Sequence, residues 1–357
     1  MPEKAILVAV KTPEQSDAEF DNSVEELKLL CRTAGAKPLS VLRQALKQPA
    51  APTYIGRGKT DELTMLATQL KADFIVFNDE LTPSQERNLN DLTGLKVIDR
   101  TALILDIFAV HAHSREGKIQ VELAQYSYLL TRLTGKGIAM SRMAGGIGTR
   151  RGPGETKLET DRRRIREHIG HLKKELNKIV KQRQTQRKKR SLNTFRVSFV
   201  GYTNSGKSTL LNHLTKADVE VADKLFSTLD STTRRLYIGG QRITVSDTVG
   251  FIEKLPTTLI EAFKSTLSEV KEADLVLHVA NMAAPDLRNQ IKVVNNLLDE
   301  LDVKNKVLLV LNKVDLIDEK TLPRIKESYP DAVIISALEN LGLEKLKKRI
   351  FNLLQSS

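Results

Sequence analysis

Residues 201–209 read GYTNSGKST, and no other stretch of the chain restricts its fold as tightly. The spacing is G-x-x-x-x-G-K-[ST]. An apolar, β-branched run, RVSFV, precedes it, and a helix-like run, STLLNHLT, follows. A glycine-rich turn from strand to helix is a phosphate loop in that setting. Gly201 and Gly206 permit the tight turn, so that backbone N–H groups along Tyr202, Thr203, Asn204 and Ser205 can converge on phosphate oxygens. Lys207 can reach the outer phosphates, the Ser208 hydroxyl can ligate Mg²⁺, and Thr209 opens the helix. The loop alone leaves open which base the nucleotide carries.

Three further stretches narrow it. Residues 312–315 read NKVD at the end of the run KVLLVL. The two oxygens of Asp315 match guanine's N1–H and exocyclic amine, a donor pair that adenine lacks. Asn312 either meets the other base edge or ties its loop to the phosphate loop, and the Lys313 stem can lie over the ring. Residues 247–250 read DTVG, where Asp247 can hold Mg²⁺ through water and the Gly250 N–H can meet a γ-phosphate. After AVII come Ser336, Ala337 and Leu338, where backbone amides are placed to contact the guanine oxygen. Four motifs in this order, each closing a strand, predict a GTP-binding domain with Mg²⁺ as cofactor.

Hydrolysis by such a site is positioning plus charge stabilisation. A Gln commonly follows DxxG to orient the attacking water, but here the residue is Phe251. Slow turnover alone is therefore expected, with help from a large partner or from K⁺ held by Asn204; Asn204 as a simple loop stabiliser is the rival. The segment LFSTLDSTTRRL offers Thr228, Thr232 and Thr233 as γ-phosphate sensors.

The chain has 357 residues and a net charge of +12. Between Gly135 and Arg190 stand 18 Lys or Arg against five acids, so this segment holds essentially all of the excess charge. A polyanionic partner is the natural reading, and a merely solvated helix face the alternative. One cysteine, Cys31, excludes an internal disulfide. The start MPEKAILVAVK lacks the marks of a signal peptide, and no apolar run is long enough to span a bilayer. A cytoplasmic protein is expected.

The fold class expected is α/β, in three parts. Residues 1–104 alternate strand runs (KAILVAVK, KPLSVL, DFIVFN, LKVIDR) with amphipathic segments, predicting a small α/β domain. Residues 105–192 are expected to form a long antiparallel helical hairpin. Ile119, Leu123, Tyr126, Leu130 and Leu133 repeat at 4, 3, 4, 3, as do Ile165, Ile169, Leu172, Leu176 and Ile179. Such narrow seams pair helices; the helical stretch is expected to begin near Ala102. Residues 135–156 would be a glycine-rich tip carrying Arg142, Arg150 and Arg151, with Lys157, Arg162, Arg163 and Arg164 beyond it as further RNA contacts. Residues 193–357 are expected to form a doubly wound GTPase domain with strands RVSFVGY, RITVSDT, DLVLHVA, KVLLVLN and AVIISA.

These motifs, together with GGIGTRRGPGETKLETDRRRIREHI (145–169) and IGRGKTDEL (55–63), resemble the HflX family of ribosome-associated GTPases over nearly the whole chain. The resemblance implies GTP binding and hydrolysis stimulated by the ribosome. It further implies binding to the large ribosomal subunit and its RNA, with the tip near the peptidyl transferase centre, and splitting or rescue of stalled or idle ribosomes under stress. It makes Thr228 the first choice for the switch threonine. The family pattern TLDPTTR differs here at Ser231, and many members carry an extra C-terminal domain that this sequence does not show. The family's proposed N-terminal ATP site finds no motif here. A monomer with no DNA partner and no integral membrane segment is expected. Rival readings are an RNA remodeller acting without ribosome splitting, and a lipid-surface GTPase; the basic segment 157–190 has no Trp or Phe to insert into lipid.

Several residues invite weaker readings. Thr60 is expected to cap a helix, and His168 and His171 to lie on a helix surface rather than bind metal. His111, His113 and His278 show no partner in the sequence.

Overall fold

The computed structural model describes residues 2–133, 157–190, 194–215, 225–226, 232–248, 250–254 and 256–355. The tip at 135–156, Thr228 and Ser231 lie outside them. The chain forms two compact units, Met1–Val110 with Lys118–Lys178, and His111–Gly117 with Ile179–Ser357.

The first unit is built on a four-stranded sheet of β1 (Lys4–Lys11), β2 (Lys37–Ala45), β3 (Phe74–Phe77) and β4 (Lys96–Asp99). The spatial order is β2-β1-β3-β4 and every pairing is parallel. Six consecutive residues of β1, Ala5–Val10, are buried, which is why the run is continuously apolar rather than alternating. Helices α1 (Asp17–Thr33), α2 (Arg57–Leu70) and α3 (Pro83–Thr93) supply the crossovers. Ser16 and Glu19 form a reciprocal capping box at α1, as do Thr82 and Gln85 at α3, where Pro83 fits the first turn. The cap of α2 is Gly56, not Thr60. Thr60 lies one turn inside, where its hydroxyl donates back to the Gly56 carbonyl over 3.2 Å.

The single helix expected from Ala102 is two, α4 (Arg100–His111) and α5 (Arg115–Arg132). Ser114 makes the break by accepting the Gly117 N–H at 2.9 Å, a local bond that restarts the helix. Helix α6 (Lys157–Arg190) then runs 34 residues without interruption. Of the two seams, Leu172 of this helix and Ile119 and Leu123 of α5 are buried, and the other seven residues are half-buried. His168 stays part-exposed on the surface of α6, but it has partners the sequence did not show: it bonds Glu122 of α5 at 2.8 Å and meets the Tyr126 ring edge-on at 4.5 Å. At the end of β4, Asp99 is wholly buried and accepts from the Leu81 and Ala102 amides, the Tyr128 hydroxyl and Arg132.

The second unit is a six-stranded sheet, order β10-β9-β8-β5-β7-β6. Its strands are β5 (Phe195–Val200), β6 (Thr232–Ile238), β7 (Gln241–Asp247), β8 (Leu275–Asn281), β9 (Lys306–Asn312) and β10 (Val333–Ile334). All pairings are parallel except β6 on β7. Helices α7 (Lys207–Thr215) and α11 (Leu343–Gln355) bury one face over Val197, Phe199, Leu236, Ile243 and Val310. On the other, α8 (Thr257–Lys271) and α9 (Leu287–Glu300) pack with Val200, Phe251 and Val276. A short helix α10 (Thr321–Ser328) completes the unit. Strand β6 was not among the expected strands, and Thr232 and Thr233 begin it. Its signal lay in TTRRLYI and QRITVSD flanking Gly239-Gly240, a two-residue hairpin turn with φ of 58° and 79°.

Candidate nucleotide-binding site

The C-terminal ends of β5, β7 and β9, with the turn after β10, bring the motifs together, as expected where a doubly wound sheet reverses its strand order. Gly201 is obligatory at its position: with φ of 155°, any Cβ would overlap the Val279 carbonyl oxygen of neighbouring β8. At Gly206, φ is 90° and a Cβ would overlap the Asn312 amide nitrogen. The phosphate loop therefore closes because two neighbouring strands press on it where side chains are missing.

Lys207 is buried, and its ammonium donates to the carbonyls of Gly201 at 3.0 Å and Tyr202 at 2.9 Å. Burial pushes its pKa down to about 8, partly opposed by the nearby charge of Asp247. Ser208 donates its hydroxyl to Asp247 Oδ2 at 2.8 Å. Asp247 is buried, which raises its pKa, against the pull of Lys207 and the Ser208 hydrogen bond. Its second oxygen, Oδ1, is buried without a hydrogen-bond partner among the described residues. A carboxylate oxygen left over in this way, beside a serine hydroxyl, fits an oxygen-ligated divalent cation. No cluster of three or more His, Cys, Asp or Glu suited to a metal occurs among the described residues. Thr209 is half-buried in the first turn of α7.

The segment after Asp247 is knitted to the phosphate loop. Thr203 N–H donates to the Phe251 carbonyl at 2.7 Å, and Phe251 N–H to the Gly201 carbonyl at 3.1 Å. Tyr202 hydroxyl accepts the Glu253 N–H at 2.7 Å. Gly250 sits where a Cβ would stand 2.8 Å from Thr203 Cγ2 and 3.3 Å from Lys207 Nζ. Phe251 is 2% exposed and belongs to the core with Leu267 and Val276, so its ring points away from the nucleotide side.

Sequence reasoning left two roles open for Asn312; the structure shows the tie to the phosphate loop. Its Nδ2 donates to the Ser205 carbonyl at 2.9 Å, and its Oδ1 accepts the Ala337 N–H at 2.9 Å. The Ser336 amide donates to the Leu341 carbonyl at 3.0 Å, so a base oxygen reaching either amide would compete with a bond already made. Leu338, the next residue, is 66% exposed. Asp315 is exposed in a 3₁₀ turn, Val314–Leu316, where its oxygens can accept from a base. Lys313, with φ of 68°, crosses back so that its ammonium donates to Asn204 Oδ1 at 3.2 Å. Asn204 itself is exposed with φ of 58°. His278, which showed no partner in the sequence, is buried on β8; burial lowers its pKa to about 4, against the opposite pull of a hydrogen bond with the Asn295 side chain.

Of the basic residues named for RNA, Arg163 and Arg164 are exposed on α6, whereas Arg162 is half-buried with its Nε out of solvent. Lys157 starts the helix, and its side chain lies outside the described residues, as do Arg142, Arg150 and Arg151.

Comparison with known proteins agrees with this geometry. Residues 21–109 match a family described as GTP-binding GTPase N-terminal, 111–190 GTP-binding GTPase middle region, and 196–313 50S ribosome-binding GTPase. GTPase HflX of Alkalihalophilus pseudofirmus is 49% identical over 98% of this chain and 82% of its own length. GTPase HflX of Escherichia coli is 43% identical over 96% and 81%. Among solved structures, that of SsGBP with GDP aligns over 99% of both chains at 26% identity and a TM-score of 0.52. The chain belongs to the HflX family of GTPases, and it binds and hydrolyses GTP.

Proposed function

We propose that this GTPase binds the large ribosomal subunit and the whole ribosome under control of its nucleotide, and splits or rescues stalled or idle ribosomes during stress. The observation that carries it is helix α6. Over 34 continuous residues it exposes Arg163, Arg164, Arg166, Lys173, Lys174 and Lys178, far more positive charge than a helix needs for solubility. RNA duplexes and junctions are recognised largely through phosphate and shape, which suits a rigid basic rod. The 50S ribosome-binding family matched by the GTPase unit supports the choice of polyanion. A cytoplasmic, monomeric protein acting on ribosomal RNA, without DNA or membrane, fits this role, and no described helix is long and apolar enough to cross a membrane.

The chemistry follows from residues already placed. Lys207, held by two loop carbonyls, exchanges them for phosphate oxygens when nucleotide enters. Ser208 and Asp247 are the residues that would hold Mg²⁺, which supplies charge neutralisation at the phosphates. Gly250 brings a backbone N–H beside Lys207, the place for a γ-phosphate contact. Asp315 reads guanine. With Phe251 buried, no side chain follows DTVG to orient water, so hydrolysis by the protein alone is slow and a large partner stimulates it, with Thr228 as the switch threonine. Asn204 Oδ1 would ligate K⁺ only after releasing Lys313.

Co-sedimentation with ribosomal subunits, in GDP and in a non-hydrolysable GTP analogue, tests the proposal. Pelleting with the large subunit in the GTP-like state is the expected result. A protein that stays in the supernatant with both nucleotides overturns it.

A further inference from the structure

The β6–β7 hairpin lies at the edge of the GTPase sheet, and its two faces differ sharply. Leu236, Ile238, Ile243 and Val245 point into the core. The register sets Tyr237 opposite Arg242, Arg235 opposite Thr244 and Thr233 opposite Ser246, so these six share the outward face. Tyr237 is 67% exposed, and Arg235 and Arg242 are exposed with it. No hydrogen bond or ion pair joins these three side chains to any described residue. The one acid of the hairpin, Asp247, is buried at its far end.

The ribbon is also firmly held. Its turn packs on the last helix, since a Cβ on Gly239 would stand 2.6 Å from the Phe351 ring. A fixed platform with a flat aromatic face, two arginine forks and a row of hydroxyls matches one kind of polyanion. Unstacked bases lie on tyrosine, guanidinium groups take phosphates, and hydroxyls meet riboses. A lipid surface would call for exposed apolar side chains to insert, and this face has none besides Tyr237.

We propose that Arg235, Tyr237 and Arg242 form an RNA-contact surface on the GTPase unit, taking a single-stranded or looped-out segment. The choice of RNA as polyanion rests on the ribosomal reading above; the surface itself does not involve α6.

Binding of a short, unstructured, fluorescein-labelled RNA to the full chain, followed by anisotropy across a salt series, tests it. Wild type is compared with Y237A, Y237F, R235A/R242A and, on α6, R163E/R164E; unchanged GDP binding certifies the fold of each. Y237A should weaken binding about ten-fold with the salt slope kept, and Y237F should retain affinity, as stacking requires. R235A/R242A should lower the slope of log K against log salt by about 1.4, two phosphates' worth for a single strand. If both ribbon variants bind as wild type while R163E/R164E fails, the ribbon proposal is overturned and the ribosomal reading stands. If wild type binds neither this RNA nor ribosomal subunits, both fall together. Loss of binding to anionic vesicles or acidic peptide in the ribbon variants, with RNA binding intact, also overturns the proposal.

Discussion

Asn312 donates its amide hydrogen to the Ser205 carbonyl across 2.9 Å, tying the end of β9 to the phosphate loop. The same side chain accepts the Ala337 N–H, so one residue fastens the phosphate, base and strand-end turns together. Asn312→Ala leaves a buried carbonyl and a buried amide unpaired, at about 1–3 kcal/mol each. The expected outcome is a lower melting temperature and at least a ten-fold weaker affinity for GDP, read by calorimetry and a fluorescent nucleotide.

Asp315 is exposed and ready to accept two hydrogen bonds from a base. Asp315→Asn turns one acceptor into a donor, which opposes guanine's exocyclic amine but suits the oxygen xanthine carries there. Binding of GTP should fall about a hundred-fold or more while that of xanthosine triphosphate rises. Equal losses for both nucleotides would show that Asp315 does not read the base.

Lys207 links the site to pH. Its folded pKa of about 8 lies below the ordinary 10.5, so between those values the unfolded chain binds more protons. Stability of the nucleotide-free protein therefore rises with pH across that window and carries the full penalty below it. Bound phosphates favour the charged ammonium, so GDP affinity should decline above pH 8, approaching about one decade per pH unit. Lys207→Met should bind weakly with a flat profile over the same range.

Phe251 stands where other GTPases carry a water-orienting glutamine, yet its ring is core. Phe251→Gln should not raise the single-turnover rate of GTP hydrolysis. It should cost about 3 kcal/mol of stability or more, from lost packing and a buried amide, visible in denaturant melts. A faster, stable variant would mean that the segment swings toward the nucleotide.

Asp99 holds the start of α4 and the end of α5 through four donors. Asp99→Ala leaves Arg132 in a half-dry setting with one fewer carboxylate and should destabilise the first unit by about 3–5 kcal/mol. Hydrogen exchange should accelerate in α5 while GDP binding stays unchanged.

Much of this was legible in the sequence. GYTNSGKST, DTVG and NKVD each pair a strand run with residues whose chemistry is local, so their positions at strand ends followed from spacing alone. Less legible was β6, because the threonines of TTRRLYI carry a switch-residue signal of their own and the pairing signal, Gly239-Gly240, lies beyond them. The cut between α4 and α5 was hidden for a related reason: a single Ser114 bond interrupts an otherwise helical pattern.

By itself, the sequence determined the nucleotide, the order of motifs and the location of the positive charge, since all three depend on which residues follow one another. Only the tertiary structure decided what those residues touch. It set Asn312 against the phosphate loop, committed the Ala337 amide, folded Phe251 into the core and turned Arg235, Tyr237 and Arg242 onto one open face. Those outcomes depend on how strands pair, between β5, β8 and β9 far apart in the chain and within the β6–β7 hairpin, where a shift of one residue exchanges the buried face for the exposed one.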